Sequence, residues 1–257
     1  MAIALQLVSL SKQFGSHQAV NHLTLEVPTG MLYAFLGPNG AGKTTTLRMV
    51  VGLLKPDQGD AIVLGQSITR SPKAAKQHIA YLPDEPMLYS KLRPLEYLEF
   101  VAGLWHIPAR QAQPLAEELL HQFGLWEVRG DFCETFSRGM KQKLVLAGAL
   151  IHSPQLMILD EPLSGLDVAA ARLVKNILLD YVSRGNTVIL TTHIMEIAQQ
   201  MAQRIGIINH GQLIAEGTFS ELQARSREQG ETLEHIFLEL VQSGAASDFQ
   251  TEGQGAR

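Results

Sequence analysis

A chain of 257 residues, 46% of them hydrophobic, can bury the core of one large α/β domain, or of a domain with a sizeable insertion, and is too short for two such cassettes. With 25 acidic against 21 basic side chains its net charge is −4, which gives no general attraction to nucleic acid or anionic lipid. The single Cys133 excludes an internal disulfide and has no neighbours at metal-ligand spacing, as fits a reducing cytosol.

Met1 to Leu10 alternates apolar and polar residues with no basic segment before an apolar core, so a secretory signal is not expected. No apolar run approaches the ~18 residues of a bilayer span. The chain therefore reads as soluble, reaching a membrane only through a partner. Period-two alternation over Ile3–Val8 and Val20–Val27 predicts antiparallel strands. Between them, Phe14 beside Gly15 either stacks on a base or closes the end of a small sheet, and spacing alone favours the second.

The apolar run Met31–Leu36 predicts a buried strand and Lys43–Val51 a helix. Between them Gly37-Pro38-Asn39-Gly40-Ala41-Gly42-Lys43-Thr44 matches G-x-x-x-x-G-K-[ST] in the strand, loop, helix context that pattern requires. Glycines at 37, 40 and 42 allow backbone torsions that let successive amides turn inward around an anion. The positive end of the following helix faces the same point. Lys43 supplies a charge for β- and γ-phosphates, the Thr44 hydroxyl is a ligand for Mg2+, and Thr45 stands beside it. This stretch reads as a nucleoside triphosphate site rather than a chance glycine-rich turn.

Lys55–Gly59 is a turn, Ala61–Leu64 a short strand, Pro72–His78 a short helix and Ile79–Leu82 a strand that Pro83-Asp84-Glu85-Pro86 breaks. Pro94 through Gln122 has helical period, with Pro108 and Pro114 marking boundaries, and Arg138–Ile151 is a second helical run. Asp84 to about Ile151 thus reads as an inserted helical subdomain. Within it, Pro83–Trp105 carries Pro86, Met87, Leu88, Tyr89, Leu92, Tyr97, Phe100 and Trp105, more apolar surface than its own packing needs. An exposed groove is expected there, with Tyr89 and Tyr97 at its rim and Phe100 in the core.

Leu156–Leu159 ends in Asp160-Glu161-Pro162, which places two acids at the carboxyl end of a buried parallel strand, where ligands sit in open α/β sheets. Asp160 would hold Mg2+ through water and Glu161 would polarise an attacking water. Asp167 precedes a helix over Val168–Val182, and its local role is N-cap. The strand Thr187–Leu190 runs into Thr191-Thr192-His193, where the histidine is a structural strand end or an imidazole reaching a γ-phosphate. Arg204–Asn209 and Gln212–Ala215 form a strand pair about Gly211, and Thr218–Ala224 a short helix. Glu231–Val241 is amphipathic, with Leu233, Ile236, Phe237 and Leu240 on one face, and the polar tail from Gln242 is expected to be disordered.

The run Phe136-Ser137-Arg138-Gly139-Met140-Lys141-Gln142, opening a helix, resembles the signature of the ABC transporter ATPase family in a variant form, with a basic residue in place of the first of two glycines. With the other motifs in the family's order, the resemblance covers Ile3 to about Leu222. It implies an α/β P-loop NTPase fold with a mixed sheet core, an N-terminal antiparallel β subdomain and an inserted α-helical subdomain. The ATPase domain would span 1–225, followed by a C-terminal helix and flexible tail over 226–257. ATP and Mg2+ are the implied cofactors, with Phe14 as the adenine-stacking aromatic, Glu161 as general base, Asp167 as inter-subunit acid and His193 as switch histidine. Ser137, Arg138, Gly139 and Met140 would complete the other subunit's site in a head-to-tail homodimer or pseudo-dimer, since donors at a helix N-terminus suit a γ-phosphate.

Two residues depart from the family pattern. Asp84 stands where Gln is usual; it keeps the capacity to ligate Mg2+ while altering the geometry of coupling. Arg138 adds a guanidinium able to pair with phosphate or an acidic partner. The resemblance further implies a bacterial exporter-type subunit, peripheral at the cytoplasmic face of the membrane through a transmembrane permease subunit, and no nucleic acid partner. A short cytoplasmic helix of that permease would enter the Pro83–Trp105 groove. A soluble ATPase acting on nucleic acid or ribosomes is the alternative, against which stand the single cassette and the lack of a basic block. A nucleotide-binding module without turnover is disfavoured by Lys43, Asp160, Glu161 and His193.

Overall fold

Five consecutive apolar residues, Leu32–Leu36, offer no polar face to water, so the strand they form (β3) must be covered on both sides. In the computed structural model, which describes residues 2–85, 87–225 and 232–241, all five are buried. Leu32, Ala34 and Leu36 enter one apolar cluster, Tyr33 and Phe35 another. Around β3 a six-stranded sheet runs in the order β10 (Gln212–Gly217), β9 (Arg204–Asn209), β3, β8 (Thr187–Thr191), β7 (Leu156–Asp160), β6 (Ile79–Leu82). All neighbours are parallel except β10, which returns antiparallel on β9 through the Gly211 turn.

A second, antiparallel sheet has the order β2 (His17–Pro28), β1 (Ile3–Phe14), β4 (Gln58–Val63), β5 (Gln66–Ser67). The first N-terminal strand starts at Ile3 as predicted but runs on to Phe14, the second extends past its predicted bounds at both ends, and Gln58 and Gly59, expected in a turn, already belong to β4. Helix α1 (Lys43–Val50) shares one buried cluster with both sheets: Leu47, Met49 and Val50 lie with Leu5, Leu7 and Val63 from one and Phe35, Ile158 and Ile189 from the other. A short α2 (Pro72–Lys76) adds Ala75 to the same cluster.

The opposite face of the large sheet is covered by helices. Helices α3 (Pro94–Leu104), α4 (Ala109–Gln122) and α5 (Arg138–Leu150) fall between β6 and β7 in sequence. Their buried Leu98, Leu120 and Leu144 join Leu36, Leu82 and Leu159 of the sheet in one cluster. The same cluster takes Val174 and Leu178 of α6 (Val168–Ser183), Ala198 of α7 (Met195–Met201), Leu222 of α8 (Phe219–Gln223), and Leu233 and Ile236 of the helical residues 233–241. Phe237 and Leu240 pack partly buried against it, as the amphipathic spacing predicted. Pro86 and the tail from Gln242 lie outside the described residues.

Two expectations for the helical part are corrected. Pro108 does cap α4, but Pro114 sits exposed inside that helix rather than bounding it. The inward face of α3 is Pro94, Tyr97, Leu98 and Ala102, a helical stripe that includes Tyr97 and excludes Phe100. Tyr97 is 6% exposed, lying where a Cβ on Gly148 of α5 would crowd its ring, and burial pushes its hydroxyl pKa up to about 12. Phe100 is 40% exposed and meets Tyr89 edge-on, with centroids 4.9 Å apart. The tyrosine at the rim is thus Tyr89 alone.

Pro114 has no N–H to donate within α4 and crowds the preceding turn, a cost of up to about 3 kcal/mol in a helix interior. Pro114→Ala is expected to stabilise the chain by about 1–3 kcal/mol, read as a higher urea midpoint at unchanged slope. An unchanged or lower midpoint would show that the helix has absorbed the proline without cost.

Candidate functional site

In a parallel sheet every strand delivers its carboxyl end to the same edge. Here β3 ends at Leu36, β7 at Asp160 and β8 at Thr191, and the register places Phe35 beside Thr191 and Thr191 beside Asp160. On the outer strand Leu82 pairs with Leu159, so Asp84 follows two residues beyond the same edge.

The loop after β3 is shaped by close approach as much as by torsion. Gly37 is glycine for want of space, since a Cβ there would overlap the Ile208 carbonyl of β9. Gly42 combines φ 103° with a backbone so close to the Ala19 carbonyl that no side chain fits. The sequence reading ascribed all three glycines to torsion; for Gly37 the constraint is the neighbouring strand. Lys43, 8% exposed, donates from Nζ to the carbonyls of Gly37 at 2.7 Å and Pro38 at 3.0 Å, so the ammonium sits inside the loop. Burial pulls its pKa below the ordinary lysine range, while the nearby Glu161 and Asp160 carboxylates oppose that shift.

Asp160, 2% exposed, accepts from the Thr44 hydroxyl at 2.8 Å through Oδ2 and from the Thr191 hydroxyl at 2.5 Å through Oδ1. The Glu161 amide donates to the same Thr191 oxygen at 3.0 Å. Glu161 has φ 50°, a sparsely populated region for a non-glycine residue that costs on the order of 1–3 kcal/mol. Its carboxylate meets His193 Nδ1 at 2.9 Å, and that histidine is otherwise exposed.

A cavity of about 310 Å3 is lined by Phe14, His17, Ala19, the loop from Asn39 to Thr45, Asp84, Asp160 and Glu161. It joins loop amides, an ammonium, hydroxyls and carboxylates to a half-exposed aromatic at the end of β1, so Phe14 both closes the small sheet and faces the cavity. Among the described residues no group of three or more His, Cys, Asp or Glu side chains is placed to hold a metal by itself. A hydroxyl and a carboxylate 2.8 Å apart, with Asp84 on the same cavity, fit a hard cation such as Mg2+ that takes one or two carboxylates and completes its shell with phosphate and water.

Several candidates lie elsewhere in the chain. Asp167 is the N-cap of α6, accepting from the Ala170 amide at 2.8 Å. Ser137 caps α5, accepting from the Met140 amide at 3.3 Å. Neither they nor Arg138 and Gly139 line the phosphate cavity. The sequence reading gave no role to His17, which lines it, or to Thr191, whose hydroxyl is the hub of the acid pair. A hydroxyl at the carboxyl end of a buried strand next to the Asp-Glu strand was the available signal, but its meaning depends on strand order.

A model of the family described as ABC transporter matches residues 20–164, and an AAA domain model matches residues 133–198. The daunorubicin/doxorubicin resistance ATP-binding protein DrrA of Streptomyces peucetius is 38% identical over 221 residues, 86% of this chain and 67% of that protein. The bacitracin transport ATP-binding protein BcrA of Bacillus licheniformis is 35% identical over 228 residues, 88% of this chain and 74% of that one. A solved structure of the ATP binding subunit of an ABC transporter superposes with a TM-score of 0.86 at 29% identity, covering 92% of this chain and 99% of the other.

Thr191→Val keeps the shape of the strand and removes the hydroxyl shared by Asp160 and the Glu161 amide. Leaving such buried groups short of a partner costs about 1–3 kcal/mol. Nucleotide turnover is expected to fall by about 10- to 100-fold, with nucleotide affinity changed less than threefold. Wild-type turnover at intact stability would remove Thr191 from the site.

Proposed function

The chain belongs to the ABC transporter family, and from that premise we propose that it is the ATP-hydrolysing subunit of an export system whose transmembrane part is a separate chain. The observation that carries the proposal is the tie at Asp160, with Glu161 and Lys43 on the same cavity. Among the described residues no helix is long and apolar enough to cross a membrane. The drug-resistance relative DrrA and the bacitracin-transport relative BcrA support export, and the subunit is placed, as part of the same proposal, at the cytoplasmic face of the membrane.

In this reading the loop amides and Lys43 bind the triphosphate, and the third N–H of Lys43, beyond those on Gly37 and Pro38, serves a phosphate oxygen. Thr44 and Asp160, with Asp84, would hold Mg2+, which supplies charge neutralisation at the phosphates when bound. Phe14 gives the adenine a face on which to stack. Glu161, its backbone fixed by Thr191, takes the proton of the attacking water, and His193 orients the Glu161 carboxylate from outside. Ser137, Arg138, Gly139 and Met140, together with Asp167, serve the site of a second subunit in a head-to-tail dimer. Their placement away from their own chain's cavity supports that assignment. Exposed Met87, Tyr89 and Phe100, in the stretch of chain that follows Asp84, offer the permease an apolar surface.

Glu161→Gln is expected to keep ATP affinity, lower turnover by about 10²- to 10⁴-fold, and accumulate an ATP-bound dimer on gel filtration. Normal turnover in this variant would sink the base assignment, and an ATP-loaded monomer at micromolar concentration would sink the dimer.

Tyr89→Glu places a charge on the exposed face without touching the core. It is expected to abolish stimulation of ATPase activity by the permease while the isolated subunit keeps its rate and melting temperature. Undiminished stimulation would move the docking surface elsewhere.

A further inference from the structure

The first turn of α5 rests on the turn that follows Glu161. Gln142, 4% exposed, donates from Nε2 to the Pro162 carbonyl at 3.2 Å. A Cβ on Gly139 would stand 3.4 Å from Leu166 Cδ2. The Arg138 side chain crosses the bare backbone of Gly165, where a Cβ would come within 2.9 Å of its Nε and 3.1 Å of its Cζ. Gly165 has φ 72°, a torsion that favours glycine, and the missing side chain lets the exposed Arg138 lie this close. The turn itself is tied to the base, for the Ser164 amide donates to the Glu161 carbonyl at 3.1 Å.

Arg138 also lines a cavity of about 380 Å3 with Lys141, Gln142, Asp84 and Glu85. Two cations and two carboxylates share that space, and among the described residues none of the four is in an ion pair. Asp84 lines the nucleotide cavity as well. An acid after β6 and a base at the start of α5, far apart in sequence, thus line one cavity, and the acid reaches the phosphate-loop cavity too.

We propose that Arg138 is a positioning residue for hydrolysis within its own subunit: seated on Gly165 and facing Asp84 and Glu85, it holds the 161–167 turn against α5 and so sets where Glu161 stands. The guanidinium end of Arg138, from Cδ through Nε to Cζ, lies over the Gly165 backbone and keeps its donors for the two carboxylates of the cavity. The proposal rests on the shared-site reading above and adds a task in cis to residues that reading uses in trans.

The test mixes full-length Arg138→Gln with Lys43→Ala. In a shared-site dimer the one competent site then combines the loop and Glu161 of the Arg138→Gln chain with the intact signature of the Lys43→Ala chain. Positioning in cis leaves that site slower by about 10- to 100-fold in kcat, the scale of a displacement near 1 Å, with little change in KM. The control, Ser137→Asp mixed with Lys43→Ala, keeps an oxygen to cap α5 while setting a carboxylate against the partner's γ-phosphate, and recovers the wild-type rate per competent site. Equal recovery in both mixtures would overturn the proposal, because Arg138 would then act only across the interface. No recovery in the control, where heterodimers form, would overturn the shared-site reading and the proposal with it. Amide exchange of the Arg138→Gln chain before dimerisation gives a second readout. Faster exchange confined to residues 163–170 supports the proposal; unchanged exchange there, or faster exchange throughout the chain, overturns it.

Discussion

A buried carboxylate is tolerated only when its oxygens are satisfied, and the rest of this site is arranged around satisfying Asp160. One oxygen takes the Thr44 hydroxyl from the first turn of α1, the other the Thr191 hydroxyl from the neighbouring strand. Those bonds fix the rotation of α1 beneath its loop and the height of β8 beside β7. Lys43 then becomes affordable as a buried cation, because two acids stand near enough to favour its charged form against burial. Removing any one of these groups would leave another buried without compensation, so they behave as one unit rather than as separate contacts.

The unit is rigid because it grows from the ends of buried strands, while the atoms that must meet a ligand sit on the loops just beyond. Two constrained backbone positions lie on those loops. Glu161 holds a left-handed backbone under a hydrogen bond from its amide to Thr191, and Gly42 is pressed against Ala19 of the small sheet. That second contact has a further effect. With the Gly211 amide bonded to Ala41 and the Asn21 amide to Gly211, it brings the small sheet to the phosphate loop, and Phe14 and His17 arrive on the cavity from a sheet that shares no strand with the main one.

The helical part shows where reading a pattern stops being enough. Counting apolar residues over Pro83–Trp105 rightly signalled a surplus, since Met87, Tyr89 and Phe100 are exposed. It misjudged which aromatics are spent on packing, because the polar tip of Tyr97 suggested a wet rim while Gly148, some fifty residues later, leaves the hollow that takes its ring. Pro114 misled for a related reason: a proline marks a helix end only where tertiary packing does not pay to carry it inside.

The sequence alone determined the order of most elements, though not β5 or α7, together with the phosphate loop, the strand-ending acids and the α/β class, because each depends on the local period of burial or on residues adjacent in the chain. It also carried enough motifs in order to identify the family. What tertiary structure decided was everything that depends on which strands are neighbours: Thr191 as partner of Asp160, His193 on Glu161 rather than in the cavity, space rather than torsion at Gly37, and the meeting of Arg138 with Gly165 and Asp84. Hydrogen-bond register and close backbone approach join residues far apart along the chain, and such pairings leave no trace in the periodicity of either segment.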